Sequence, residues 1–206
     1  MEGRQGMTEA RAELWLMRHG ETAWSLSGRE AGRTDLHLTA AGKRRAEALG
    51  RHLAGRSFAL VLCSPLARAV ETCRLAGYGD AAEFTDGLLE WDYGQYEGRF
   101  ITDIRNERRG WTIWSEGTPG GETIEQVATR AQKVVDRAVA AGGDVALFAH
   151  AKVLRVLTTC WLGLPPDAGR MFTLGTASLS VLGYEQENRV IRLWNQDSHL
   201  VFEEDA

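Results

Sequence analysis

The sequence predicts an α/β fold, a three-layer αβα sandwich with a mostly parallel central sheet and an inserted lid segment, and three observations carry this reading. Short apolar runs alternate with helical patterns, no internal repeat or low-complexity tract breaks the alternation, and the chemically informative polar residues fall where the apolar runs end. With 206 residues, 44% hydrophobic and 25% charged, the chain is long enough for a single domain with a sizeable core, spanning 1–206.

The first predicted strand runs from Glu13 to Met17. After a polar, Gly-containing loop, Thr39 is a candidate N-cap for a helix to about Ala54, with Ala46, Leu49 and Leu53 on one face and Arg44, Arg45, Arg51 and His52 in solvent. A second strand, Phe58 to Cys63, leads into Ser64 and Pro65, where serine suits a cap and proline the first position of a helix to about Ala76. A third short strand is expected around Glu83 to Thr85. The stretch from Leu88 to Gly121, rich in glycine and aromatics, is too long for a plain connector and reads as a lid-like segment.

Thr123 with Gln126 forms a capping box, and Ile124, Val127, Ala128, Ala131, Val134, Val135, Ala138 and Val139 trace a helical stripe. Asp144 to Ala149 is an apolar strand, followed by a helix from about Ala151 to Leu162 that Gly163 and Pro165-Pro166 end. Ala177 to Tyr184 and Val190 to Trp194 pair as a hairpin with Asn188 near its turn.

Composition excludes several classes of partner. The net charge of -4 offers no overall attraction to nucleic acid or an anionic membrane, so an anion-binding surface must be local. No stretch approaches the roughly 18 apolar residues of a membrane-spanning helix, and Met1 to Arg11 lack the apolar run of a targeting segment, so residues 1–12 are expected to be mobile. Three cysteines, Cys63, Cys73 and Cys160, without Cys-x-x-Cys spacing suggest neither a disulfide framework nor a zinc site and fit a reducing cytoplasm. The oligomeric state, a homodimer included, stays open.

Arg18 and His19 close the first strand, Arg68 follows the second within one turn, and His150 closes the Asp144 to Ala149 strand. All are at strand carboxyl ends, the edge where open α/β sheets bind ligands and where helix N-termini add positive field. Two arginines and two histidines there point to an oxyanion. His37, His52 and His199 share no such position with an arginine and read as exposed or structural, and Cys63 and Cys73 as buried apolar fillers. Trp91, Trp111 and Trp114 either pack the lid or line an entrance.

Four segments in order, LMRHGET (Leu16 to Thr22), CSPLARAVETC (Cys63 to Cys73), LLEWDYGQYEG (Leu88 to Gly98) and the strand ending at His150, resemble the histidine phosphatase superfamily, which includes the cofactor-dependent phosphoglycerate mutases. WDYGQYEG and the later WTIWSEGTPGGET look like its acid-phosphatase and sugar-bisphosphatase members. The resemblance implies that His19 is the nucleophile, that Arg18, Arg68 and His150 hold the phosphoryl group, and that Glu90 is the proton donor. It implies hydrolysis of a small phosphomonoester through phosphohistidine, with no cofactor and no metal.

Elementary chemistry agrees with these roles. A nucleophilic imidazole must be neutral, and nearby guanidinium groups keep it so. Arginine forks match phosphate oxygens. A carboxyl group can protonate the leaving alkoxide, and Leu88, Leu89 and Trp91 predict an apolar, aromatic setting for Glu90; Glu97, Glu21 and Asp92 are rival carboxylates. The family commonly has Asn where Ser25 stands and Gly where Ala151 stands, which makes both candidate substrate-binding positions. Lys152, Arg99 and Arg105 are candidates for meeting a distal phosphate on a sugar. Two alternatives are a phosphoglycerate mutase, disfavoured because WDYGQYEG replaces the RHYG usual in mutases and the chain ends soon after Trp194, and a non-catalytic phosphate-binding module.

Overall fold

β1 (Leu14–Arg18) is apolar at successive rather than alternate positions, the pattern of a strand covered on both faces, and four of its five residues are buried. The structure is a computed structural model that describes residues 11–200. The predicted mobility of residues 1–12 therefore falls almost wholly outside the described residues.

β1 lies inside a six-stranded sheet of order β3-β2-β4-β1-β5-β6, formed with β2 (Leu60–Cys63), β3 (Ala82–Phe84), β4 (Val145–Ala149), β5 (Leu179–Glu185) and β6 (Asn188–Gln196). Strands β3, β2, β4 and β1 run parallel, and β5 and β6 close one edge as an antiparallel hairpin. The predicted α/β class and mostly parallel sheet are both present.

The helices are α1 (Ala23–Ser27), α2 (Ala40–Leu53), α3 (Ala67–Leu75), α4 (Ile101–Glu107), α5 (Ile113–Glu116), α6 (Ile124–Val139) and α7 (Ala151–Leu162). Alternate residues of β1 serve two cores. Leu14 and Leu16 pack with α6 and α7, whereas Trp15 and Met17 pack with α2 and α3. This is the three-layer arrangement: each helical layer buries its apolar stripe on one sheet face.

Local chemistry sets most boundaries. Thr39 and Thr123 accept from the N–H groups of Gly42 and Gln126 and so start α2 and α6, and Gly163 ends α7 at φ 67°. The start of α3 is a correction. It begins at Ala67 rather than at Ser64-Pro65, and the acceptor at its first turn is Asp35 Oδ1, 2.7 Å from the Ala67 N–H. A tertiary contact from the loop before α2 takes the first turn, while Ser64 Oγ keeps a local contact, accepting from Leu66 N–H at 3.4 Å, and has a second partner.

Of the expected solvated residues of α2, Arg44, Arg51 and His52 are exposed, while Arg45 is half-buried and donates to Thr176 Oγ1 at 3.3 Å. The stretch from Leu88 to Gly121 holds α4 and α5 and is anchored by Leu88, Trp91, Tyr93, Tyr96, Ile104, Trp111 and Ile113, all in the core on the α6–α7 side. The indole N–H groups of Trp91 and Trp111 donate to Glu122 O and Gly117 O, both at 2.9 Å, so these two tryptophans pack.

Candidate active site

The register of the sheet assembles the site before any side chain is considered. Arg18 pairs with Ala149 and Cys63 with Phe148, so the residues that follow, His19, His150 and Ser64, leave three neighbouring strands within one residue of the same level. The His19 N–H continues the ladder to Ala149 O and the Ser64 N–H to Phe148 O, both at 2.9 Å. The His19 and His150 rings stand 5.1 Å apart between centroids.

Gly20 is required by close approach. A Cβ there would lie 2.6 Å from the Gly42 carbonyl oxygen at the start of α2, so the strand end and α2 can meet only with glycine. The Gly20 N–H donates to Thr72 Oγ1 at 3.0 Å, and that hydroxyl donates to Arg68 O at 2.7 Å. Buried Thr72 thus ties the His19 strand end to the helix that carries Arg68.

His19 Nδ1 lies 2.7 Å from the Gly20 carbonyl oxygen, which can only accept, so the proton sits on Nδ1 and the Nε2 lone pair is free. Burial, then the Arg18 and Arg68 cations, hold this imidazole well below its usual range, which keeps it neutral. His150 has the opposite tautomer. Arg68 Nε donates to its Nδ1 at 3.1 Å, leaving the proton on Nε2, which donates to Ser64 Oγ at 2.7 Å. Burial, then Arg68, His19 and Arg18, push His150 well below the usual range as well.

Arg68 is wholly buried, and its two Nη groups donate to Thr34 O at 2.8 Å and Gly32 O at 2.7 Å. With Nε on His150, three of its five donors have partners and two remain for a ligand. The loop supplying those carbonyls is held by Glu97, whose carboxylate accepts from the N–H groups of Gly32 (2.9 Å), Thr34 (3.0 Å) and Arg33 (3.4 Å). Arg18 Nη1 donates to Leu174 O, while its buried Nε has no hydrogen-bond partner among the described residues. A cation donor without a protein partner and a free imidazole lone pair thus belong to one strand end, which suits an anion.

Glu90 is buried and lies at the N-terminus of α7. Its Oε1 accepts from the N–H groups of Trp91 and Val153 at 2.9 Å each, and its Oε2 from Lys152 N–H at 3.0 Å. The apolar, aromatic setting expected from Leu88, Leu89 and Trp91 is therefore a correction: main-chain donors surround this carboxylate. Arg130 fixes the Glu90 backbone, donating to the carbonyls of Leu89 (2.6 Å) and Glu90 (3.2 Å) while it pairs with Glu122 at 2.9 Å.

The remaining candidates sit around this centre with partners of their own. The Ser25 hydroxyl donates to Thr22 O at 3.0 Å and accepts from Thr22 N–H at 2.9 Å, which caps α1. Ala151 opens α7 and is not among the left-handed non-glycine residues, which are Ala177, Gln186 and Asn195. Lys152 Nζ lies 3.8 Å from Glu30 Oε2. Arg99 donates to Glu107 at 3.0 Å, and Arg105 to Trp111 O at 3.0 Å. Of the other histidines, His37 is exposed, and His52 and His199 stack with centroids 5.2 Å apart.

Sequence reasoning named Arg18, His19, Arg68, Glu90 and His150, and the structure brings them together. It missed Ser64, Thr72, Glu97, Arg130 and Glu30. Of these the sequence singles out Ser64, as a helix cap, and Glu97, as a rival acid; Glu97 clamps a loop instead.

The chain belongs to the histidine phosphatase superfamily (branch 1), whose description it matches over residues 14–197. It is similar to an acid phosphatase of Mycobacterium tuberculosis, 38% identical over 190 residues that cover 90% of this chain and 93% of that protein. A sedoheptulose 1,7-bisphosphatase of Saccharomyces cerevisiae is 33% identical over 181 residues, covering 72% of this chain and 67% of that protein. The solved structure of an open reading frame product from Mycobacterium tuberculosis superposes with a TM-score of 0.86 at 37% identity, over 90% of this chain and 98% of that one.

Proposed function

We propose that the protein is a phosphomonoester hydrolase that works through a phosphohistidine on His19 and acts on phosphorylated sugars or comparable small phosphomonoesters. The observation that carries this is the free Nε2 lone pair of a buried, neutral His19 flanked by Arg18 and Arg68. Two cations and two neutral imidazoles give the pocket the charge of a phosphomonoester dianion reversed. The phosphatase relatives support the reaction class.

In the proposed sequence His19 Nε2 attacks phosphorus, the P–N bond forms, and the P–O bond to the alcohol breaks. The unused donors of Arg68 and the orphaned Arg18 Nε carry the charge on the phosphoryl oxygens, preorganised donors of a kind typically worth about 10²–10³ each in rate. Glu90, as a carboxylic acid, hands its proton to the departing alkoxide. As a carboxylate it then takes a proton from water, whose oxygen attacks phosphorus and releases phosphate and His19.

No metal takes part in this reading, because arginines supply the positive field. Three free cysteines fit a reducing cytoplasmic setting, and among the described residues no helix is long and apolar enough to cross a membrane.

The test is rapid quench with labelled phosphomonoester in the presence of EDTA. An acid-labile, alkali-stable label on His19 and release of inorganic phosphate are expected. Dependence on added Mg²⁺ or Zn²⁺, hydrolysis without an adduct, or return of the phosphoryl group to a second hydroxyl of the product would each overturn the reading.

A further inference from the structure

The start of α7, next to His150, has a charge balance of its own. Lys152 follows His150 and Ala151 on the first turn of α7, and its main-chain N–H holds Glu90 Oε2 at 3.0 Å. Its ammonium does not point unaccompanied at the substrate: it lies 3.8 Å from the Glu30 carboxylate, with the two side chains only 20% and 18% exposed. Glu30 comes from the segment after α1, where its N–H donates to Arg99 O at 3.0 Å and its carbonyl accepts from Gly98 N–H at 2.9 Å. These bonds lock its backbone against the segment that carries Glu90.

Buried Tyr93 belongs to the same cluster. Burial, then the neighbouring Glu30 and Glu90 carboxylates, push its hydroxyl well above the ordinary range, so it stays a protonated donor. Arg155, one turn beyond Lys152, donates to Gly169 O at 2.8 Å and lies over the Trp114 ring, 4.6 Å from its centroid. Lys152 is thus matched by Glu30. Around His19 and His150 the balance is different, with Arg18 and Arg68 beside two neutral imidazoles.

We infer that Glu30, paired with Lys152 and backed by Tyr93, recognises the alcohol part of the substrate and selects an alcohol bearing free hydroxyl groups over one bearing a second phosphate. This rests on the phosphatase reading and specifies its substrate class. Hydroxyl groups donate to the Glu30 carboxylate and accept from Lys152, while the Tyr93 hydroxyl donates to Glu30 from behind, so the pair is satisfied without net charge transfer. A second phosphate meets a cation already neutralised and a carboxylate of its own sign, a juxtaposition that interfaces generally avoid. Arg99 does not rescue it, because that guanidinium is engaged with Glu107.

The experiment compares kcat/KM for fructose 6-phosphate and fructose 1,6-bisphosphate in the full chain, in wild type, Glu30→Gln and Lys152→Met. Wild type is expected to favour the monophosphate. Glu30→Gln frees the Lys152 ammonium and is expected to move the monophosphate-to-bisphosphate ratio at least about tenfold toward the bisphosphate, mainly through KM. Lys152→Met leaves a bare carboxylate and moves the ratio the other way, so it carries the test even where Glu30→Gln fails to fold. A wild-type preference for the bisphosphate, or ratios within about twofold of wild type in the folded variants, overturns the inference while hydrolysis itself stands. Absence of hydrolysis and of a His19 label overturns the phosphatase reading, and this inference with it.

Discussion

Arg68 Nε donates to His150 Nδ1 at 3.1 Å, and this single bond fixes both partners: the guanidinium is aimed from the floor of the pocket and the imidazole proton is forced onto Nε2. Ser64 Oγ, 2.7 Å from that Nε2, completes the chain. Ser64→Ala leaves a buried N–H unpaired, at a cost of about 1–3 kcal/mol in stability. Urea denaturation is expected to show that loss, and kcat/KM to fall as Arg68 loses its fixed aim. Unchanged stability together with unchanged kcat/KM would remove Ser64 from the positioning chain.

His19 and His150 are both held neutral below the usual imidazole range, chiefly by burial. As the pH falls, the unfolded chain therefore takes up their protons first. The stability from keeping them neutral is fully present above about pH 6.5 and is lost as the pH drops toward the depressed folded values. The imidazole proton resonances of both residues are expected to keep their neutral shifts from pH 7.5 to 5.5. Stability should fall less steeply over that interval in His19→Asn than in wild type. Titration of either ring near 6.5 in the folded protein would contradict the electrostatic picture.

Glu97 accepts from three consecutive main-chain N–H groups of the loop whose carbonyls hold Arg68. Glu97→Gln puts an amide donor against those donors. It is expected to loosen the loop, to lower kcat/KM by about 10–100-fold, and to weaken inhibition by inorganic phosphate, since small misplacement of a positioning group has effects of that size. A fall in kcat with inhibition by phosphate intact would return Glu97 to the list of acids.

The parts of this site legible in the sequence are those fixed by local periodicity. Arg18, His19 and His150 follow apolar runs directly, and a run covered on both faces can only be an inner strand, so its carboxyl end is readable. Ser64 keeps part of the local capping role that a serine before proline suggests, accepting from Leu66 N–H, and only the fold shows Asp35 taking the first turn of α3 from 32 residues away. Glu97 and Arg130 bond main-chain groups 63 and 40 residues distant, and nothing in the spacing of a carboxylate or guanidinium encodes such a partner. Lys152 and Arg99 are candidates for a distal phosphate in the sequence because side-chain direction is invisible there. Glu30 and Glu107 change what they offer a ligand.

Arg130 donates to the carbonyls of Gly87, Leu89 and Glu90 and pairs with Glu122, so it fixes the backbone on which Glu90 stands. Arg130→Met removes all of these donors and leaves half-buried acceptors without partners. Its expected signature is a fall in kcat that grows with the pKa of the leaving alcohol, because a misplaced acid matters most where the alkoxide leaves poorly. An equal fall for sugar and nitrophenyl phosphates would mark a general loss of structure instead.

Glu90 offers the most direct kinetic dissection. Three main-chain N–H groups hold its carboxylate at the start of α7, adjacent to His150, so it is positioned without needing the substrate to order it. Glu90→Gln removes the exchangeable proton and keeps the side-chain size, with the amide oxygen still able to accept from Trp91 and Val153 N–H while the amide nitrogen faces Lys152 N–H. For a sugar phosphate, whose alkoxide cannot leave unprotonated, the phosphorylation step should slow by about 10²–10⁴, the usual worth of a positioned acid. For p-nitrophenyl phosphate the phenolate leaves without help, so that step should be nearly spared. Water still needs a base to attack phosphohistidine, so the His19 adduct should accumulate in the variant and dephosphorylation should limit turnover. Rapid quench with both substrates separates the steps, and equal losses in the phosphorylation step would transfer the acid role to another carboxylate.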